Sequence, residues 1–269
     1  MDVPDLTDFV RRHDPDRFLC ALFAPAAARP ALFALIAFNH EIARAREATT
    51  TPIATLIRLQ WWRDAVEEAA AGRPARRHEV ASPLHEAIIA GRLAPRDLLG
   101  LIDAREVEAE ESGIPTRGSF GAWLRAGAGG MALAMAGVLG VPDTNLPEVQ
   151  RLGAFQGLAG VLRSVAAHAA QGRCLLPRDA LAEAGLSPEA VIQAPGLAQP
   201  LCRALAEEGA IALATLAPLP REALPLALSA LLARRDLRRI VAGRAVPNPR
   251  GLSDKVAVAW AGWRGRAQG

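Results

Sequence analysis

Tyrosine is absent from this 269-residue sequence, aromatic residues make up only 4% of it, and Lys255 is the only lysine among its 31 basic residues. The β-branched and aromatic clusters that mark strands are also scarce, which argues against a β-rich fold. Alanine and leucine are abundant instead, and a hydrophobic content of 51% is enough for a sizeable core. Because both residues favour helices, we expect an all-α fold with a single domain over residues 1–269.

Cysteine is rare and the net charge is small. The cysteines are far apart and lack metal-ligand spacing, which is typical of small buried side chains in a reducing compartment; they are Cys20, Cys174 and Cys202. The net charge is +3, and acids and bases alternate along the chain, so nothing supports nucleic-acid binding. No signal or transit peptide is visible, and we expect a cytoplasmic protein.

Long hydrophobic runs are also missing. The longest uncharged stretch, from Ala126 to Val141, falls short of the roughly 20 apolar residues that a membrane span needs. We therefore expect a buried core helix there, as part of a helix from Ser119 to Leu139.

Proline and glycine separate the remaining helical segments. The apolar spacing predicts a helix from Pro30 to Ala48, and a second from Thr51 to Ala71 that buries Leu56, Leu59 and Trp62. Further helices are predicted at about 17–23, 83–90, 95–111, 147–171, 200–217 and 221–242.

The stretch from Leu152 to Pro177 carries two different helical faces. One is an apolar stripe at three- and four-residue steps, and the other is a seam of small residues that includes Gly153, Gly157 and Gly160. Such a seam either lets another backbone approach closely or borders a cavity. Gly172 is a typical residue to follow a helix, so this helix should end near Gln171.

The same stretch resembles the second signature of the squalene/phytoene synthase family, the all-helical enzymes that join two isoprenyl diphosphates head to head. The match rests on Leu162-Arg163, Gly172-Arg173 and Leu176-Pro177. Phe18 to Glu47 resembles the opening region of that family, and Leu59 to Asp64 resembles its following helix. The resemblance implies a single-domain, isoprenoid-synthase-like helical bundle around a central cavity. Across that cavity Ala34 to Ala48 should face Leu152 to Gln171, and its apolar wall should include Ile36, Met135 and Leu158.

The acidic motifs of the family do not match. The positions that carry metal-binding aspartates in the enzymes have other residues here or a single glutamate; we call them the remnant positions, and they are Ala43, Glu47, Ser164 and His168, with Arg44 beside the first. Magnesium is a hard cation that binds diphosphate through carboxylates and neutralises the departing group. The resemblance therefore implies that the chain lacks the carboxylate ligands of a magnesium cluster, and we expect no cofactor. Magnesium would be needed only under the alternative that the protein is an active enzyme.

The replacements resemble a non-enzymatic branch of the family, typified by the assembly factor of mitochondrial respiratory complex I, the NADH dehydrogenase. The matching segments are Ala37-Phe38-Asn39, Arg58 to Asp64 and Gly157 to His168. This implies a bacterial pseudoenzyme acting in complex I assembly or lipid binding. Its partners would be a respiratory complex subunit or assembly protein, with peripheral contact at the inner membrane. The alternative is an active head-to-head isoprenyl diphosphate transferase, of the squalene or phytoene synthase type, with an atypical site.

Four arginines could hold the phosphate of an anionic lipid or an isoprenyl phosphate at the remnant site: Arg44, Arg46, Arg163 and Arg173. Ordinary ion pairs with Glu41, Glu47 or Asp64 would explain them equally well. His168 could act as a base or a ligand, but its own helix places no second His or acid beside it, which favours a structural role.

Overall fold

The structure is a computed structural model that describes residues 5–46, 51–109, 113–247 and 249–265. Within these ranges the chain forms fifteen α-helices and no strand, so the all-α prediction is confirmed. The helices are α1 (Thr7–His13), α2 (Pro15–Ala21), α3 (Arg29–Ala43), α4 (Pro52–Ala70), α5 (Ala81–Ile89), α6 (Pro95–Glu106), α7 (Arg117–Leu124), α8 (Gly130–Leu139), α9 (Leu146–Arg163), α10 (Val165–Ala170), α11 (Arg178–Glu183), α12 (Pro188–Gln193), α13 (Gln199–Ala214), α14 (Leu224–Val241) and α15 (Leu252–Trp263).

Local capping chemistry sets many of the helix ends. Asp14 begins α2 by accepting a hydrogen bond from the Arg17 backbone N–H at 3.0 Å. Thr51 begins α4 in the same way, through the Ala54 N–H at 3.3 Å. Gly172 follows α10 in the left-handed region at φ 70°, as its position after the helix predicted.

The hydrophobic core consists of two large clusters that meet along α9 and a small third cluster between α2, α14 and α15. One cluster packs α3 to α6 and α8 against the first half of α9, where Val149 and Leu152 are buried. The other packs α13 and α14 against its second half, where Leu158 and Leu162 are buried. Helix α9 therefore connects the two halves of the bundle. The organisation as one domain over residues 1–269 stays a prediction.

The predicted helix from Ser119 to Leu139 is continuous in direction but contains a π-helical turn. Arg125–Gly129 forms this turn between α7 and α8. The whole segment Arg117–Leu139 is the one helix of the described residues that is long and apolar enough to cross a membrane. Length and composition alone are weak support for that, and Met131 and Met135 are buried in the core, as expected for a core helix.

The glycine seam serves both purposes that the sequence left open. A Cβ on Gly153 would lie 2.5 Å from the Ala128 carbonyl oxygen, and one on Gly157 would lie 2.7 Å from the Ala128 Cβ. These two glycines therefore let α9 pack directly against the π-helical turn. Gly160 has no such neighbour within 4 Å and lines a cavity.

Two burial predictions are wrong. Leu56 is 44% exposed, because α4 packs through Leu59 and Trp62, and Thr55 takes the inward position next to Leu56. The Thr55 hydroxyl is accommodated there by donating to the Thr51 carbonyl oxygen at 3.3 Å. The three residues expected in the cavity wall are buried in the core between helices instead; they are Ile36, Met135 and Leu158.

Candidate functional site

A cavity of about 500 Å³ lies between the N-terminal helices, the end of α3, the second half of α9, and α14. Apolar atoms of the π-helical turn and of α14 form part of its wall, including Ala128 and Leu232. Asn39 and His40 line it from α3, and Gln156 lines it from α9. Helices α3 and α9 thus face one another across a central cavity, as predicted.

Three of the four remnant positions come together in this cavity. Ala43 ends α3 on one side, and Ser164 and His168 lie on the other. Glu47 lies outside the described residues. The predicted single helix through Gln171 is interrupted at Ser164, whose φ of −106° and ψ of 10° separate α9 from α10. The break precedes α10, and the Ser164 carbonyl oxygen accepts a hydrogen bond of 2.9 Å from the His168 backbone N–H, so these two positions stay one helical turn apart.

Only two of the four candidate arginines line the cavity. Arg163 and Arg173 belong to the lining, whereas Arg44 is exposed and Arg46 is half-buried outside it. The reason is local: α3 ends at Ala43 and the chain turns, so the residues after it no longer follow the inward face of the helix. Arg163 and Arg173 form ion pairs, but with acids other than Glu41 and Asp64.

One side of the cavity is a network of two aspartates and two arginines. Arg250 donates two hydrogen bonds of 2.7 Å to the carboxylate of Asp236, and its Nε lies 2.8 Å from Asp16 Oδ1. Arg163 lies 3.1 Å from Asp16 and 3.5 Å from Asp236. Burial alone would lower the pKa of Arg250, but the hydrogen bonds and charges of Asp236 and Asp16 raise it above its ordinary value.

The other side is a second charged cluster around Glu108, which is almost fully buried. Arg105 and Arg173 donate to its two carboxylate oxygens at 2.6 and 2.9 Å. Arg105 also donates to Asn39 Oδ1 at 3.3 Å, which connects the cluster to α3. Burial alone would raise the pKa of Glu108, but the two arginines hold it below its usual value.

Two histidines close the N-terminal edge of the cavity. The rings of His13 and His40 lie 4.5 Å apart between centroids. Burial, and secondarily the neighbouring His13, lower the pKa of His40. Beside them Asp14 accepts a hydrogen bond of 2.6 Å from Arg17. This edge therefore favours the neutral form of the His40 imidazole.

Every carboxylate that lines the cavity among the described residues is within ion-pair distance of an arginine. The pairs are Asp14 with Arg17, Asp16 with Arg163 and Arg250, Glu108 with Arg105 and Arg173, and Asp236 with Arg163, Arg239 and Arg250. Magnesium requires carboxylate oxygens that are free to coordinate it. These donors do not fit a magnesium–diphosphate cluster, because guanidinium groups already occupy them. Nor do three or more His, Cys, Asp or Glu side chains converge as a metal site in the ranges that the structure describes.

The sequence pattern did not identify Asp16, Glu108, Asp236 or Arg250 as part of the site. Asp236 alone had a detectable signal, because it continues the row Leu228-Leu232 at four-residue steps, where an acid interrupts a buried helix face. The others join the cavity only through contacts between distant segments.

Comparison with known proteins gives a family match over most of the chain. Residues 10–260 match the family described as Squalene/phytoene synthase. The curated relatives include NADH dehydrogenase (ubiquinone) complex I, assembly factor 6, of Rattus norvegicus, 28% identical over 68% of this chain and 55% of the relative. The Homo sapiens protein of the same name is 26% identical over the same shares. The matched region thus spans about half the length of these relatives.

Solved structures share the fold at low sequence identity. Squalene synthase HpnC from Alicyclobacillus acidocaldarius has a TM-score of 0.69 and 19% identity, covering 88% of this chain and 92% of that one. A dehydrosqualene synthase in complex with a ligand has a TM-score of 0.71 and 15% identity, covering 96% and 94%. At such identities the likeness establishes the helical architecture alone.

Proposed function

This chain belongs to the squalene/phytoene synthase family, and from that premise we propose that it is a pseudoenzyme of the family that acts in respiratory complex I assembly or in lipid binding. The proposal includes the loss of both Asp-rich magnesium–diphosphate motifs of the family. The partners are then a respiratory complex subunit or assembly protein, and an anionic lipid or isoprenyl phosphate. We place the protein in the cytoplasm, peripheral at the inner membrane.

The observation that carries the proposal is the arginine pairing of the cavity. An enzyme that ionises a diphosphate must neutralise the charge that develops on the leaving group, and the family mechanism does this with metal ions. Here Ala43 offers a methyl group, Ser164 a neutral hydroxyl and His168 an imidazole, none of which is a hard anionic ligand. The nearby carboxylates of Asp16 and Asp236 are held by Arg250. The side chains of this cavity are therefore better suited to stabilising the fold than to catalysis.

The names of the curated relatives support the assembly role in this proposal. Proteins of four mammals and an insect homologue are named as complex I assembly factor 6, and the chain matches them over 183 to 190 residues. A cavity whose described carboxylates are all paired with arginines suits a protein that binds a partner or lipid without transforming it.

A deletion in the native host tests the assembly role. Loss of the gene should reduce assembled complex I on native gels and NADH-dependent respiration, and the wild-type gene should restore both. A matched rescue with His168→Ala should also restore both, since no catalytic step depends on this residue. Unchanged complex I in the deletion strain would contradict the assembly role.

A second measurement addresses the alternative, an active head-to-head transferase. Purified protein incubated with labelled farnesyl or geranylgeranyl diphosphate, NADPH and magnesium should form no squalene, phytoene or cyclopropyl intermediate. Robust conversion to any of these products would overturn the pseudoenzyme assignment.

A further inference from the structure

Helix α15 presents a stripe of large apolar side chains to solvent. Its exposed residues are Leu252 at 77%, Val256 at 56%, Trp260 at 57% and Trp263 at 78%. At about 100° per residue these four positions fall within an arc of about 80°, so they form one face of the helix. Two of the five tryptophans of the chain are therefore exposed on one face of this helix.

The opposite face of α15 is fixed to the rest of the protein. Asp254 is fully buried and accepts hydrogen bonds from Arg235 at 2.6 Å and from Arg239 at 2.7 and 2.8 Å. Val258 is buried one turn further along. Gly262 completes this face, where a Cβ would collide with the ring of Phe23. The helix therefore cannot rotate its apolar stripe inward without breaking buried ion pairs.

Positive charges flank the apolar stripe on both sides. On the helical wheel Lys255 lies next to one edge of the stripe and Arg264 next to the other, and both are exposed. The Arg264 guanidinium carbon lies 5.4 Å from the Trp260 ring centroid. The one acid of α15, Asp254, is buried, so the described part of this helix exposes no negative charge.

We propose that the outer face of α15 binds the surface of an anionic phospholipid bilayer, with the helix lying in the plane of the headgroups. Tryptophan suits this depth because its ring is apolar and its indole N–H is polar. Lysine and arginine beside such a stripe place their charges at the phosphates while their stems cover apolar surface. Charge complementarity favours this occupant, because exposed cations border the stripe and the described part of α15 exposes no acid. The inference deepens the proposed function by naming the surface of membrane contact, but it depends only on α15.

Vesicle flotation with the full chain tests this surface. The protein should float with vesicles of phosphatidylglycerol and phosphatidylcholine, and much less with phosphatidylcholine alone. The double variant Trp260→Ala/Trp263→Ala should lower the partition coefficient by about tenfold or more, because both rings leave the interface. Ile211→Ala is the matched control: Ile211 is 70% exposed on α13, away from this face, and the control should bind like the wild type.

Charge reversal provides a second variant with little risk to folding. Lys255→Glu/Arg264→Glu should also lower binding to the anionic vesicles by about tenfold, and added salt should weaken wild-type binding in the same direction. Brominated lipids should quench tryptophan fluorescence of the wild type and not of Trp260→Ala/Trp263→Ala. Equal flotation of the wild type and the tryptophan variant would overturn the proposal. So would a dimer in sedimentation velocity that the tryptophan variant abolishes, with no vesicle binding. The vesicle experiments contain no respiratory partner. Their outcome therefore does not depend on whether the assembly role is correct.

Discussion

Replacing Arg250 by methionine tests whether the arginines hold the cavity together. The variant removes the two 2.7 Å hydrogen bonds to Asp236 and the 2.8 Å contact with Asp16. The Asp236 side chain is only 2% exposed, so water compensates the lost partner poorly. Breaking one partner of a buried ion pair costs about 3–5 kcal/mol. Arg163 and Arg239 remain 3.5 Å from Asp236, which places the expected loss near the lower value.

Urea denaturation followed by circular dichroism measures the loss in unfolding free energy, and thermal denaturation measures the accompanying fall in Tm. For 269 residues, an unfolding entropy of about 2.1 cal/mol/K per residue converts about 3 kcal/mol into a fall in Tm of about 5 °C. The matched control is Arg63→Met, whose partners Asp103 and Glu106 have 61% and 41% exposed side chains. Exposed pairs contribute about 0–1 kcal/mol, so the control should lose much less stability.

A double variant separates lost packing from an unpaired charge. Asp236→Asn/Arg250→Met should be less destabilised than Arg250→Met alone, because the second change removes the uncompensated carboxylate. The reasoning is refuted if Arg250→Met loses no more stability than Arg63→Met. It is also refuted if the double variant loses the sum of both single effects.

Three further outcomes are expected. Arg163→Ala should weaken binding of anionic phospholipid or isoprenyl phosphate by about tenfold in native mass spectrometry with chelator present, while Arg44→Ala leaves it unchanged; no binding to either ligand class would leave only the protein-partner role. Burial alone would raise the pKa of Asp254, but its arginine hydrogen bonds lower it to about 2 from 3.8. The contribution of Asp254 to the free energy of unfolding is therefore complete above pH 3.8 and is lost as the pH falls toward 2. Asp254→Asn should flatten that part of the stability curve in acid titration. Gly153→Ala should cost about 1–3 kcal/mol in urea denaturation because it crowds the π-helical turn, whereas Gly160→Ala should be neutral or slightly stabilising; equal effects would contradict the packing role of the seam.

Local patterns were sufficient to predict the fold class and many helix ends. The Thr51 cap, the proline in the first turn of α3 and the left-handed Gly172 depend on residues within a few positions of one another. The two-faced pattern of α9 predicted both close packing and a cavity border, and Gly153 and Gly160 show one of each. The resemblance to a family also predicted that Ala43, Ser164 and His168 lie at one cavity, and all three line it in the structure.

The sequence predictions failed at two places where the chain leaves a regular helix. Arg44 and Arg46 were expected in the cavity because the helical period was continued past Ala43, but α3 ends there and the chain turns. The break at Ser164 was missed for the same reason, because the residues around it favour a continuous helix.

The sequence by itself determined that this chain is helical and where most of its helices begin. These properties follow from the 3.6-residue period and from capping over a few residues. Only the tertiary structure decided which acids the arginines neutralise. Arg163 meets Asp16 across 147 residues and Asp236 across 73, and Arg173 meets Glu108 across 65. Such partners depend on the angles at which whole helices pack, and no short pattern in the chain encodes those angles.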